Sequence, residues 1–335
     1  MGANRAAEHL RRGSRRSLIP EDIVGRRRFL KAAGGAAMAI PLGAASARVN
    51  VGFYGSGRLA RANLAACANV PGFAVAGIWA EEQQAEPGGL RAMLADASLD
   101  AVCLSVSESR HAWMTVEACQ AGKDVYVEVP ARPCPDDGAR MAGAARRYGR
   151  VVQTGAAERS GALFRAARAI VKSGELGEIA YCRIRGDAAL LDLVHFVFDE
   201  PEPVSATAQG GPGWSLATYR YPGFVVSIEG GADARPGAGE IAIHGARATL
   251  RADGGGCRIF RSGAGQAVFV EARGAGGDAR VRHWRNWLEA IQARRQPAAG
   301  IEARVRVAGA CRLFDLALRR RRTVGWGDAR GAAEV

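Results

Sequence analysis

Lysine is nearly absent from this chain. Lys31, Lys123 and Lys172 stand against 43 arginines, so chemistry that needs a titratable ammonium has three places to find it. The seven cysteines (Cys67, Cys103, Cys119, Cys134, Cys182, Cys257, Cys311) are odd in number and form no Cys-x-x-Cys pair. Neither a zinc site nor a disulfide framework follows from such spacing. Cys103 and Cys119 fall in apolar-periodic segments, where a thiol serves as a small hydrophobe. Long apolar runs are also missing. The longest, Ala32 to Ala47, is broken by Gly34, Gly35, Pro41 and Gly43 and is too short to cross a bilayer comfortably, so no transmembrane segment is expected in the mature chain.

What is present is ordinary globular material. The 335 residues are 48% hydrophobic and 24% charged, which excludes a disordered or fibrous chain, and the length predicts two domains or one large one. The net charge of +13 is uneven: residues 1–47 hold nine basic and three acidic residues, leaving +7 for the remainder. The run Arg319 to Arg322 ends an amphipathic stretch and is read as a solvated last helical turn that offsets the helix dipole. Spread arginines without a stripe predict no nucleic-acid partner.

Residues 1–47 carry an export pattern. Gly25-Arg26-Arg27-Arg28-Phe29-Leu30-Lys31 precedes a small-residue apolar stretch and then Ala45-Ser46-Ala47, the order of basic region, apolar region and cleavage site. The arginine pair before Phe-Leu-Lys is similar to a twin-arginine signal, with Gly25 where Ser or Thr is usual. The expected location is therefore the periplasm.

A dinucleotide-binding pattern starts immediately afterwards. Val49 to Tyr54 reads as a strand, Gly55-Ser56-Gly57-Arg58-Leu59-Ala60 as a glycine turn, and the stretch to Asn69 as a helix. Gly55 permits the tight turn, Gly57 lets a pyrophosphate approach the backbone, and Ala60 allows helix–strand packing. A second strand, Phe73 to Trp79, should end in an acid for the ribose hydroxyls. Glu81 could serve from one residue further on, or be a solvated loop acid. Between Glu81 and Leu99 only one helix fits, so the outer edge strand of the usual order is expected to be missing. Strands at Asp100 to Val106, Asp124 to Val127 and Arg150 to Thr154 follow, with helices at Ala112 to Ala121 and Pro135 to Tyr148.

These residues, in this order, resemble the glucose–fructose oxidoreductase, inositol dehydrogenase and rhizopine-catabolism (Gfo/Idh/MocA) family. The likeness rests on the glycine turn, Asp100-Ala101-Val102, His111, Ala121-Gly122-Lys123 and Glu128-Val129-Pro130. It continues through Ser173-Gly174-Glu175-Leu176-Gly177-Glu178 and His283-Trp284-Arg285-Asn286-Trp287-Leu288 to Arg295-Gln296-Pro297. It covers almost all of residues 48–326 and is closest to exported members of the family. The resemblance implies a Rossmann domain and an α/β domain with an open, mainly antiparallel sheet. It also implies NAD or NADP held by Gly55, Ser56, Gly57, Arg58, Leu59, Glu81, His111 and Glu128, hydride exchange with a sugar or polyol, and a homo-oligomer. The chain then divides into a signal peptide (1–47), a Rossmann domain (48–155) and a C-terminal α/β domain (156–335).

Two expected groups are missing. Where the resemblance calls for Glu-Lys-Pro, with the lysine as acid or base, Val129 occupies the lysine position. Where it calls for His-x-x-Asp, Ala189 replaces the histidine and Asp192 remains. His195, three residues on, is either a relocated acid–base oriented by Asp192 or a locally packed helix histidine. General acid–base catalysis contributes about 10²–10⁴-fold, so activity is expected to be weak or lost. The alternative is a non-catalytic relative that binds nucleotide, carbohydrate or protein. Seven further segments between Glu202 and Glu271 alternate or run apolar between Gly and Pro turns, as a meandering sheet requires. Trp284 and Trp287, three apart on a helix, read as core anchors.

Overall fold

Short apolar runs separated by helical stretches can lie parallel only if each helix crosses back over the sheet, and residues 49–154 fold that way. A computed structural model of the chain describes residues 48–79, 87–130, 134–186, 190–231, 239–253, 256–261, 267–270 and 279–329; all lie within one unit, Ala44–Val335. The signal-like segment 1–47, Glu81 and Ala189 lie outside the described residues.

The first sheet is built from β1 (Val49–Gly55), β2 (Phe73–Trp79), β3 (Ala101–Ser105), β4 (Asp124–Val127) and β5 (Val152–Thr154) in the order β2-β1-β3-β4-β5. Every pairing is parallel. Helices α1 (Gly57–Ala68), α2 (Pro87–Ala95), α3 (Glu108–Gln120) and α4 (Pro135–Tyr148) make the crossovers. Among the described residues nothing pairs outside β2, as expected, and Val75 and Ile78 on that edge are exposed. The chain steps outward from β1 to β2 and returns to β3 on the other side. That reversal opens a crevice at the carboxyl ends of β1 and β3, the usual ligand position in such sheets. Helix α3 starts four residues earlier than the periodicity predicts, because Ser107 takes the extended conformation of an N-cap and Glu108 suits the first turn.

The second sheet has nine strands: β6 (Ile179–Gly186), β7 (Ser205–Gly211), β8 (Trp214–Tyr221), β9 (Phe224–Gly231), β10 (Gly239–Gly245), β11 (Ala248–Asp253), β12 (Gly256–Arg261), β13 (Ala267–Val270) and β14 (Val324–Gly325). Their order is β13-β12-β11-β10-β6-β9-β8-β7-β14. Only the β6–β9 pairing is parallel, so the sheet is mixed and mainly antiparallel. One face packs on α5 (Ala162–Lys172), α6 (Leu191–Val197) and α8 (Ile301–Arg320), burying Phe164, Ile184, Tyr219, Leu250, Val307 and Leu313. The sheet also carries the pairs Arg185–Glu229 and Arg251–Glu240.

Helix α7 (Ala279–Ala293) follows this sheet in sequence but packs on the first one. Trp284 lies between Phe53 and Tyr126, with ring centroids 5.6 and 4.7 Å away, and Trp287 sits edge-on to Tyr126. Both tryptophans are fully buried, as expected for anchors. The chain therefore returns to complete the first core, which a simple cut at residue 156 hides. Among the described residues no helix is long and apolar enough to cross a membrane, and no cluster of His, Cys, Asp or Glu could hold a metal ion.

Candidate functional site

The glycine turn has a shape that only glycine permits. Gly55 has φ +125°, and a Cβ there would lie 2.2 Å from the Ser105 carbonyl oxygen. The close approach brings the ends of β1 and β3 against each other. Gly57 also has positive φ, +86°, but the space beside its Cα is open. Ser56 precedes α1 without capping it, and the first turn of α1 has no acidic side chain. The leading N–H groups thus face no competing carboxylate, a surface suited to phosphate. Arg58 and Leu59 are exposed on this turn.

At the end of β4, Glu128 is mostly buried and fixed from one side. Asn63 of α1 donates Nδ2–H to Glu128 Oε1 at 2.8 Å, and Arg280 of α7 donates to the same oxygen at 3.2 Å. Arg280 also donates to Asn63 Oδ1 at 2.9 Å. A Cβ on Gly155 would lie 1.9 Å from Glu128 Oε2, so glycine is what leaves room for the carboxyl. Burial pushes the Glu128 carboxyl above the usual carboxylate range, against the pull of Asn63 and Arg280. His111, on the first turn of α3, is fully buried with neither ring nitrogen hydrogen-bonded among the described residues. Burial lowers its pKa.

Val129 packs against the apolar cluster of the first domain. Lysine does not return from elsewhere among the described residues. Lys123 is buried and donates to the carbonyls of Asp96 and Leu99, both at 2.8 Å, and Lys172 pairs with Asp199 on the second domain.

Asp192 and His195 share no hydrogen bond among the described residues. Arg159 clamps Asp192 with Nε at 3.0 Å and Nη2 at 2.7 Å from Oδ1, and uses Nη1 on Glu200 and on the Ala298 carbonyl. Arg304 adds a second guanidinium 3.7 Å from Asp192, while donating to the Pro130 carbonyl. These cations hold Asp192 below the usual carboxylate range despite its burial. His195 instead shares a 3.2 Å hydrogen bond with the Tyr221 hydroxyl, and its Nδ1 is buried without a hydrogen bond among the described residues. Burial, with Arg159 nearby, lowers the His195 pKa to about 3, so the ring is neutral at physiological pH. The spacing was compatible with a pair, but every residue of α6 is buried, and Asp192 bonds Arg159 while His195 bonds Tyr221.

This arrangement predicts acid sensitivity. His195 and His283, the latter lowered to about 4 chiefly by burial, bind fewer protons folded than unfolded, where histidine titrates near ~6.5. Their stabilising contribution is complete above that value and is lost as the pH falls towards the folded values. Each should cost about 1.4 kcal/mol per pH unit within its window. Urea melts at pH 7, 6, 5 and 4 should show this slope, and His195→Phe should remove about half of it. A flat profile between pH 6.5 and 4 would contradict the burial assigned to both rings.

Comparison with known proteins shows what the glycine turn is similar to. Residues 49–156 match the family model described as oxidoreductase family, NAD-binding Rossmann fold (Gfo/Idh/MocA). Residues 49–156 are thus similar to the NAD-binding domain of that family. The chain is 26% identical over 142 residues to an uncharacterised oxidoreductase, YrbE, of Bacillus subtilis (strain 168), a match spanning 39% of this chain and 42% of that protein's length. Two solved structures share the fold across both sheets. One is an inositol dehydrogenase homologue from Azotobacter vinelandii complexed with NADH and myo-inositol, with TM-score 0.70, 16% identity and coverage of 84% of this chain and 98% of that one. The other is an aldose–aldose oxidoreductase from Caulobacter crescentus complexed with glycerol, with TM-score 0.71, 17% identity and coverage of 83% and 99%. Around Glu128, the residues that the sequence alone did not reveal are Asn63 and Arg280, whose signal is only spatial.

Proposed function

We propose that the protein is an NAD-dependent oxidoreductase of the Gfo/Idh/MocA family, derived from enzymes of sugars or polyols, with weak or no turnover. The observation that carries the reading is the open glycine turn at the start of α1: Gly57 faces free space, and the helix end carries no acidic side chain. Gly55, Ser56, Gly57, Arg58 and Leu59 would hold the pyrophosphate on backbone N–H groups, with Glu81, His111 and Glu128 completing the site. When bound, the nucleotide supplies a hydride acceptor or donor. NAD is taken from the family description, and NADP is the alternative. The sugar or polyol class is supported by the myo-inositol and glycerol complexes of the two similar folds.

Low turnover follows from the absence of an acid–base group at the two positions where the resemblance calls for one. Val129 has no proton to give, Ala189 has no ring, and Asp192 is neutralised by arginine. This favours a second reading, a non-catalytic relative that keeps the nucleotide. A panel of sugars and polyols with NAD⁺ and NADP⁺, followed by the absorbance of the reduced nicotinamide, should give turnover at least about a hundredfold below an enzyme with intact acid–base groups. Robust turnover by the unmodified protein, abolished by His195→Ala, would overturn this and restore Asp192 and His195 as a working pair.

Residues 1–47 would direct the folded protein to the periplasm, leaving 48–155 and 156–335 as the mature domains, assembled as a homo-oligomer. Changing Arg26 and Arg27 together to Lys should retain the protein in the cytoplasm with these residues attached. A normally processed periplasmic product would refute a twin-arginine route.

A further inference from the structure

We infer that Glu128 takes over proton transfer in this chain, its Oε2 oxygen accepting the substrate hydroxyl proton at the nicotinamide end of the crevice. The inference rests on the NAD-dependent reading above.

The geometry is that of a fixed base with one working oxygen. Oε1 is held by Asn63 at 2.8 Å and Arg280 at 3.2 Å, which sets the plane of the carboxyl. Oε2 has no hydrogen bond among the described residues and projects over Gly155, where any side chain would strike it. The side chain is 13% exposed, enough to reach solvent and a ligand while remaining largely dehydrated. It stands at the carboxyl end of β4, one strand beyond the switch between β1 and β3, where the second half of a dinucleotide lies in such sheets. Of the other candidates, His111 and His195 are fully buried, Asp192 is clamped, and Lys123 and Lys172 bond other groups.

The step balances without a further reactant. The alcohol C–H bond breaks with its electron pair, and the hydride passes to NAD⁺. The O–H proton passes to the Glu128 carboxylate, leaving a carbonyl product, NADH and a neutral carboxyl, which returns its proton to water through its exposed edge. The groups that face this carboxyl are Arg280 from α7, Glu158 from the short 3₁₀ turn Ala157–Ser160, and Asn63 from α1. Cys103 from β3 and Tyr126 on β4 also face it. Burial and Glu158 raise its affinity for a proton, Arg280 and Asn63 lower it, and the balance is upward. A carboxyl moved towards neutrality is the better base at physiological pH.

The test is the ratio of NAD⁺ to NADH affinity from pH 4 to pH 8, by calorimetry on the unmodified mature protein and on Glu128→Gln. The oxidised ring carries a positive charge that the reduced ring lacks, so the ratio cancels every group that touches the shared adenine, ribose and phosphates. NAD⁺ affinity should rise about tenfold relative to NADH as Glu128 ionises, and the Gln variant should show a flat ratio. With myo-inositol as probe, any cofactor reduction by the unmodified protein should fall about a hundredfold in the variant. A ratio independent of pH in the unmodified protein, a pH dependence that survives in Glu128→Gln, or turnover that survives it would each overturn the inference alone. Absence of nucleotide binding by the unmodified protein would overturn the oxidoreductase reading with it. The pH series on the unmodified protein decides the matter even if the variant fails to fold.

Discussion

Replacing Arg159 by leucine should destabilise the protein by about 3–5 kcal/mol, the cost of stripping one partner from a buried ion pair. Arg159 is 2% exposed and satisfies Asp192, Glu200 and the Ala298 carbonyl at once. Without it Asp192 remains in a dehydrated core with Arg304, 3.7 Å away, to offset it, and the partly exposed Glu200 loses its partner. Lysine should recover only part of the loss, because an ammonium cannot span the two carboxylates as the guanidinium fork does. The double change Arg159→Leu with Asp192→Leu should be less damaging than Arg159→Leu alone, since one orphaned charge goes with it. Equilibrium urea unfolding of the four proteins checks this. A loss below about 1 kcal/mol for Arg159→Leu, far under the buried-pair range, would mean that Asp192 is free to act on a ligand, and the structural assignment of this cluster would fall.

That cluster marks the boundary of what the sequence reveals. The strands of the first sheet were legible because each is a short apolar run ended by glycine or a turn, and the shortened stretch between Glu81 and Leu99 announced the missing edge strand. Val129 was legible as the loss of an ammonium, since a side chain that cannot ionise needs no structure to interpret. The partners of the surviving groups were not. Arg159 is 33 residues from Asp192, and Arg280 is 152 from Glu128, so no local periodicity links them. The Asp192–His195 spacing suggested a hydrogen-bonded pair, but on this fully buried helix Asp192 bonds Arg159 and His195 bonds Tyr221. Helix α7 was predicted with its tryptophans as anchors, yet which sheet they anchor depends on the return path of the chain. Segment 1–47, Glu81 and Ala189 lie outside the described residues, and the export and ribose assignments stand on sequence alone.

The second large effect is expected at Gly57, and it bears on the central claim that this chain keeps a working nucleotide cradle while Val129 and Ala189 carry no acid–base group. Gly57 has φ +86°, and nothing lies within 4 Å of where a Cβ would stand. A tryptophan there carries a local backbone cost of about 1–3 kcal/mol but meets no protein atom at its Cβ, so the fold should survive. Its indole would occupy the space that a pyrophosphate needs against the first N–H groups of α1. Calorimetric titration of NAD⁺ and NADP⁺ into the mature protein and into Gly57→Trp is therefore the most direct measurement. One site per chain for at least one nucleotide, weakened at least about a hundredfold (roughly 2.8 kcal/mol) in a variant with an unchanged circular dichroism spectrum, is the predicted result. No binding of either nucleotide to the unmodified protein, or equal binding to both proteins, would contradict it.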